Sequence, residues 1–209
     1  MSYIQGIDIS HQNTIDWNQL SSDVNFVYCK ASEGSGFQDP AFNGYWQYLK
    51  TTSLYRGAYH FLDVGATAQA QADNFLSVGI DFSKPNVLPP MLDVEDQSSS
   101  ALNNEILQDK AAFVQLITDW INIIQTATGR KVMIYSYKNF FNEYLNNASW
   151  PNNYLWLAAY QANPPGLPVG YQNWNFWQYS EYGTLGGATS GGSLDLDYFN
   201  GSLTDLAAL

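Results

Sequence analysis

At 209 residues, 45% of them hydrophobic and only 13% charged, the chain is long enough for one well-buried domain, short for two, and unlike a disordered protein. A net charge of -11 argues against a nucleic-acid groove, and no apolar run reaches the length of a membrane span. The one cysteine, Cys29, rules out an intramolecular disulfide.

The first element, Tyr3–Ile9, is an apolar β-rich run so close to the start that no signal peptide is expected. Asn25–Lys30 reads as a second strand, with Cys29 as a buried strand residue. Asp39-Pro40 caps and opens a helix over Pro40–Thr51. Tyr55–Leu62 is the third strand, Thr67–Val78 a helix and Val87–Glu95 the fourth strand. Asn103–Thr128 reads as the longest helix, with Ile106, Phe113, Ile117 and Ile121 on one face and Gly129 as its stop signal. Lys131–Tyr137, Tyr154–Tyr160, Trp174–Ser180 and Leu194–Phe199 complete eight strands.

Alternating strands and helices predict a mostly parallel sheet covered by helices. The fold class is α/β: an irregular, TIM-barrel-like (β/α) barrel, with short or missing helices in the C-terminal half. No repeat or linker divides it, so residues 1–209 read as a single domain.

The sharpest chemical feature is Met91-Leu92-Asp93-Val94-Glu95 at the end of the fourth strand. Residues i and i+2 of a strand share a face, so Asp93 and Glu95 aim the same way. In parallel β/α folds the C-terminal strand ends build the active site. Two carboxylates losing water there repel each other, and a carboxyl with a raised pKa serves as a general acid at neutral pH. Asp8 and Asp195 also interrupt apolar runs, where an isolated charge is costly. If the barrel closes, the first and last strands are neighbours, and Asp8 and Asp195 join Asp93 and Glu95 at one mouth. Glycoside hydrolysis needs such a set: one acid for the leaving oxygen and a second group for the reacting centre. His11 and His60 are far apart in sequence and no Cys/His cluster has zinc spacing, so neither metal nor cofactor is expected.

Taken together, these segments resemble glycoside hydrolase family 25, the lysozymes that act as N-acetylmuramidases. The resemblance rests on short pieces in a shared order: Gly6-Ile7-Asp8-Ile9-Ser10, Ile15-Asp16-Trp17, Lys30-Ala31-Ser32-Glu33-Gly34, Gly57-Ala58-Tyr59-His60-Phe61, Leu92-Asp93-Val94-Glu95, Ile134-Tyr135-Ser136, Leu155-Trp156-Leu157-Ala158, Trp177-Gln178-Tyr179 and Asp195-Leu196-Asp197. It implies the β-1,4 bond between N-acetylmuramic acid and N-acetylglucosamine of bacterial peptidoglycan as the target. It also implies Glu95 as general acid and Asp93 as stabiliser of the reacting centre, with Asp8 and Asp195 completing the catalytic set.

Tyr59, Tyr135, Trp156, Tyr160, Trp177 and Gln178 are the expected sugar contacts. Lys30 is expected to pair with a carboxylate such as Glu33, and His60 to be structural. Gln12-Asn13-Thr14 departs from the family's usual aromatic and glycine after Ser10-His11. A chitinase-like glycosidase and a non-catalytic wall-binding domain are the alternative readings. The enzyme is expected to act outside the cell, as a monomer, on peptidoglycan and not on nucleic acid.

Overall fold

Strand alternation sorts the side chains of β1 (Ile4–Ile9) into two populations. Ile7 and Ile9 are buried on its outer face, against the helices. Gly6 and Asp8 face inward, where Gly6 lies against the ring of Phe26. The same alternation runs through β2 (Val24–Glu33), the two-residue β3 (Phe37–Gln38) excepted, and through β4 (Tyr55–Phe61), β5 (Met91–Asp93), β6 (Met133–Tyr137), β7 (Tyr154–Ala158), β8 (Phe176–Gly183) and β9 (Leu194–Phe199). The structure is a computed structural model and describes residues 3–185 and 194–209.

The strands close on themselves. β1, β2, β4, β5, β6, β7 and β8 pair in that order, all parallel. β9 fills the gap between β8 and β1 and runs antiparallel to both. The result is the expected irregular barrel, of eight strands, with β3 appended to the end of β2.

Aromatic rings fill the interior. Phe26, Tyr28, Trp156 and Phe176 are fully buried there and meet mostly edge to face. Two glycines make the room: a Cβ at Gly57 would stand 2.1 Å from the Tyr28 ring, and one at Gly6 would stand 2.2 Å from Phe26. The outer layer is α1 (Phe42–Leu49), α2 (Ala68–Leu76), α3 (Ser100–Gln108) and α4 (Lys110–Thr128), then the short α5 (Lys138–Glu143) and α6 (Leu203–Ala207). In α4, Phe113, Ile117, Trp120, Ile121 and Ile124 are buried against the sheet. Each such side chain contributes about 1.5–3 kcal/mol by leaving water. No helix among the described residues is long and apolar enough to cross a membrane.

The first helix begins at Phe42, after Ala41 and not at Asp39-Pro40, and no side chain caps it. Two further expected elements differ in more than their end residues. The single helix over Asn103–Thr128 is two helices, because Asp109 leaves helical geometry (φ -141°, ψ 73°) and its side chain accepts the Ala112 N–H at 2.9 Å as the N-cap of α4. The fourth strand is regular only over Met91–Asp93, because Pro89 and Pro90 have no N–H to give to a ladder. Gly129 does end α4, in the left-handed region at φ 67°.

Candidate active site

A cleft of about 350 Å³ opens at the C-terminal ends of the parallel strands. Asp8, Asp93, Glu95 and Asp195 all line it. Asp93 is the last residue of β5, and Glu95 lies two residues past it, outside the regular strand. The Val94 N–H nonetheless donates to the Tyr135 carbonyl at 2.9 Å, so alternation persists: Val94 is buried outside and both carboxylates face the cleft.

Asp195 arrives by a different route. It sits at the beginning of β9, and because β9 runs antiparallel, that beginning lies at the mouth. The register sets Asp195 directly opposite Asp8.

Burial dominates the electrostatics. Asp8 and Asp93 are each only 7% exposed. Desolvation pushes Asp8 up to about 6, against the hydrogen bond from Gln178 and the neighbouring Asp197, which pull it down. Glu95 is pushed up to about 7 by burial and then by the charges of Asp8 and Asp96, with Lys30 opposing. Asp195 rises to about 8 through burial and the neighbouring Asp8 and Glu181. Asp93 is held well above the usual carboxylate range by burial and by Glu95. Like charges this close do not all ionise, so the cluster retains protons at neutral pH.

Gln178 organises one wall. Its Oε1 accepts from the Tyr135 hydroxyl at 2.8 Å and the Tyr160 hydroxyl at 2.9 Å. Its Nε2 donates to Asp8 Oδ2 at 2.7 Å. Tyr59 and Tyr135 are buried with edges in the cleft, whereas Tyr160 is 53% exposed at the rim. Opposite, Lys30 pairs with Glu33 at 2.6 Å and lies 4.9 Å over the Phe61 ring.

Trp156 and Trp177 are not among the cleft residues. Trp156 is fully buried in the barrel interior below the mouth, stacked on Phe176. Trp177 neighbours Gln178 and therefore points outward, packing on Tyr3 and Trp174 and donating its Nε1–H to the Ala159 carbonyl at 2.7 Å. Neither is placed to touch a sugar.

His60 faces outward too. Ser32 Oγ lies 2.8 Å from its Nδ1, Gln71 Oε1 lies 3.2 Å from its Nε2, and Trp120 stacks on its ring. Burial lowers its pKa to about 4, leaving a neutral structural imidazole. His11, at the loop after β1, holds Asp39 through Nδ1 at 2.7 Å. That loop closes without a glycine: Asn13 Oδ1 accepts the Ser10 N–H at 2.8 Å, and the Asn13 N–H donates to the Ser10 carbonyl.

Sequence reasoning missed two groups. Glu181 lines the cleft because β8 runs on to Gly183, beyond the expected end at Ser180. Asp197 lies beneath Asp8, fully buried. The alternation Asp195-Leu196-Asp197 was the available signal, since it puts both aspartates on the inner face.

Known proteins share this architecture. The family model described as glycosyl hydrolases family 25 matches residues 7–188. Lysozyme M1 of Streptomyces globisporus is 35% identical over 100% of this chain and 71% of its own length. The N,O-diacetylmuramidase of Chalaropsis sp is 31% identical, covering 99% of this chain and 98% of that protein. The crystal structure of the bacterial lysozyme from Streptomyces coelicolor superposes with a TM-score of 0.90 at 32% identity, over 100% of this chain and 97% of that one.

Proposed function

Because this chain belongs to the family 25 glycosyl hydrolases and is a muramidase of the lysozyme type, we propose that it cleaves peptidoglycan with Glu95 as general acid and Asp93 at the reacting centre. The bond cut is the β-1,4 link between N-acetylmuramic acid and N-acetylglucosamine. The observation that carries this reading is the meeting of four carboxylates from β1, β9 and the end of β5 in one cleft.

Glu95 fits the acid role because its pKa of about 7 keeps a large protonated fraction at neutral pH, and it faces the cleft. Its proton passes to the glycosidic oxygen as the bond from that oxygen to C1 breaks. The sugar ring then carries oxocarbenium-like charge. Asp93, buried on the floor beside Glu95, stabilises that charge once it is ionised. Water then bonds to the cationic C1 and gives up a proton to Glu95, which restores the acid.

Asp8 and Asp195 hold the opposite side of the ring. Tyr59, Tyr135 and the exposed Tyr160 offer sugar contacts, with hydroxyls and flat ring faces suited to a pyranose. Peptidoglycan lies outside the cytoplasmic membrane, so the reading also puts the enzyme's action there.

Mass spectrometry of digested, purified peptidoglycan tests the assignment. Fragments with muramic acid at the reducing end support it. Fragments ending in reducing glucosamine would make the enzyme a glucosaminidase, and cleavage of chitin alone would make it chitinase-like.

A further inference from the structure

We propose that Asp197 is a positioning residue for Asp8: a neutral carboxylic acid beneath the cleft floor that donates a hydrogen bond to the Asp8 carboxylate. The proposal rests on the reading of Asp8 as part of the reacting set.

Asp197 is an inward residue of β9, 0% exposed, paired with Gly6 of β1 and Gln178 of β8. Neither of its carboxyl oxygens has a well-formed hydrogen bond, and the buried indole nitrogen of Trp156 beside it lacks one too. The groups that face Asp197 are the Asp8 carboxyl from β1, the Trp156 N–H from β7 and the charge of Asp195 on its own strand. The ion pairs found among the described residues involve His11, Lys30 and Lys84, so none of them supplies a counter-charge.

A carboxylate in that position would be desolvated, unpaired and beside another carboxylate. Each of these conditions favours the protonated form. A protonated Asp197 has an O–H to give, and Asp8 is the acceptor beside it. Asp8 then has two donors, Gln178 Nε2 at 2.7 Å from the side and Asp197 from below. Together they fix the Asp8 carboxylate and favour its ionised form.

Two variants of similar size separate this role from packing. Asp197→Asn keeps a neutral donor. Asp197→Leu removes it. The proposal predicts that the Asn variant hydrolyses purified peptidoglycan within about threefold of wild-type kcat with an unchanged pH profile. The Leu variant loses about tenfold or more, the cost of a lost hydrogen bond to a charged group. Its acidic limb moves to higher pH, because Asp8 without its donor is harder to ionise.

Carboxyl ¹³C NMR of the wild-type enzyme gives a readout independent of activity. The signal that disappears in Asp197→Asn should stay in its protonated position through pH 7. An ionised signal at pH 7, or an Asn variant as impaired as the Leu variant, overturns the proposal. Should the Leu variant not fold, the Asn variant and the titration still decide. An enzyme inactive on peptidoglycan would instead defeat the muramidase reading, while the NMR titration would still decide the state of Asp197.

Discussion

Asp8 and Asp195 stand directly opposite one another across the antiparallel pair β1–β9, at the mouth of an otherwise parallel barrel. An antiparallel ladder sets facing Cα atoms about 4.5–5.5 Å apart, so two acidic side chains share one small region. Burial, with the charges of Asp8 and Glu181 beside it, drives Asp195 up to about 8. The reversed strand thus brings a second carboxylate to Asp8 where a parallel strand would have carried its C-terminal end.

Glu95 must be protonated to act, and its pKa is about 7. The value of kcat/KM on soluble glycan fragments should therefore fall as pH rises through the neutral range, giving an acidic-to-neutral optimum. A rate still climbing above about pH 9 would contradict a carboxylic acid as proton donor.

Stability should follow the same groups. Asp8, Glu95 and Asp195 have folded pKa values of about 6, 7 and 8, above their ordinary values of 3.8, 4.5 and 3.8. A raised folded pKa means that the native state binds protons more tightly than the unfolded chain. Its contribution is fully present below about pH 4 and is lost as pH rises toward 8. These three groups therefore lower Tm between pH 5 and pH 8. Asp195→Asn should raise Tm at pH 8, by a few degrees, and change it less at pH 5. Equal shifts at both pH values would show that the charge is not the cause.

Gly57→Ala tests the packing under the site. The new Cβ would lie 2.1 Å from the Tyr28 ring, whose hydroxyl is tied to the Pro89 carbonyl at 3.0 Å. Overpacking of this kind costs about 1–3 kcal/mol. Urea denaturation should show a lower midpoint with an unchanged slope. A midpoint at the wild-type value would mean that the interior is looser than its ring contacts indicate.

A net charge of -11 makes approach to anionic cell walls unfavourable at long range. Activity on walls rich in anionic polymers should rise between low and moderate salt, as screening shortens the repulsion. Lytic assays across an ionic-strength series check this, and a steep fall on adding salt would contradict it.

The carboxylate pair was readable in the sequence because two-residue alternation holds from Asp93 to Glu95, even though the regular strand stops between them. The barrel was readable for the same reason: apolar runs such as Lys131–Tyr137 are spaced by helical stretches. Depth and direction were not. Trp156 and Gln178 both face inward, but one lies below the mouth and the other at it, and a strand pattern carries no information about depth. Trp177 was misplaced by one residue of alternation. The reversal of β9 arises from closure of the barrel, which no local signal encodes. Asp109 broke a helix whose apolar period runs straight through it, because a single side chain capturing the Ala112 N–H outweighed the pattern.

Turnover of purified peptidoglycan by Glu95→Gln, with folding confirmed by circular dichroism and glycan binding measured alongside, tests the acid role of Glu95 most directly. With Glu95 as the acid, the variant folds natively, retains binding and loses about 10²–10⁴-fold in kcat, the usual contribution of a general acid. Wild-type turnover by this variant would contradict that role.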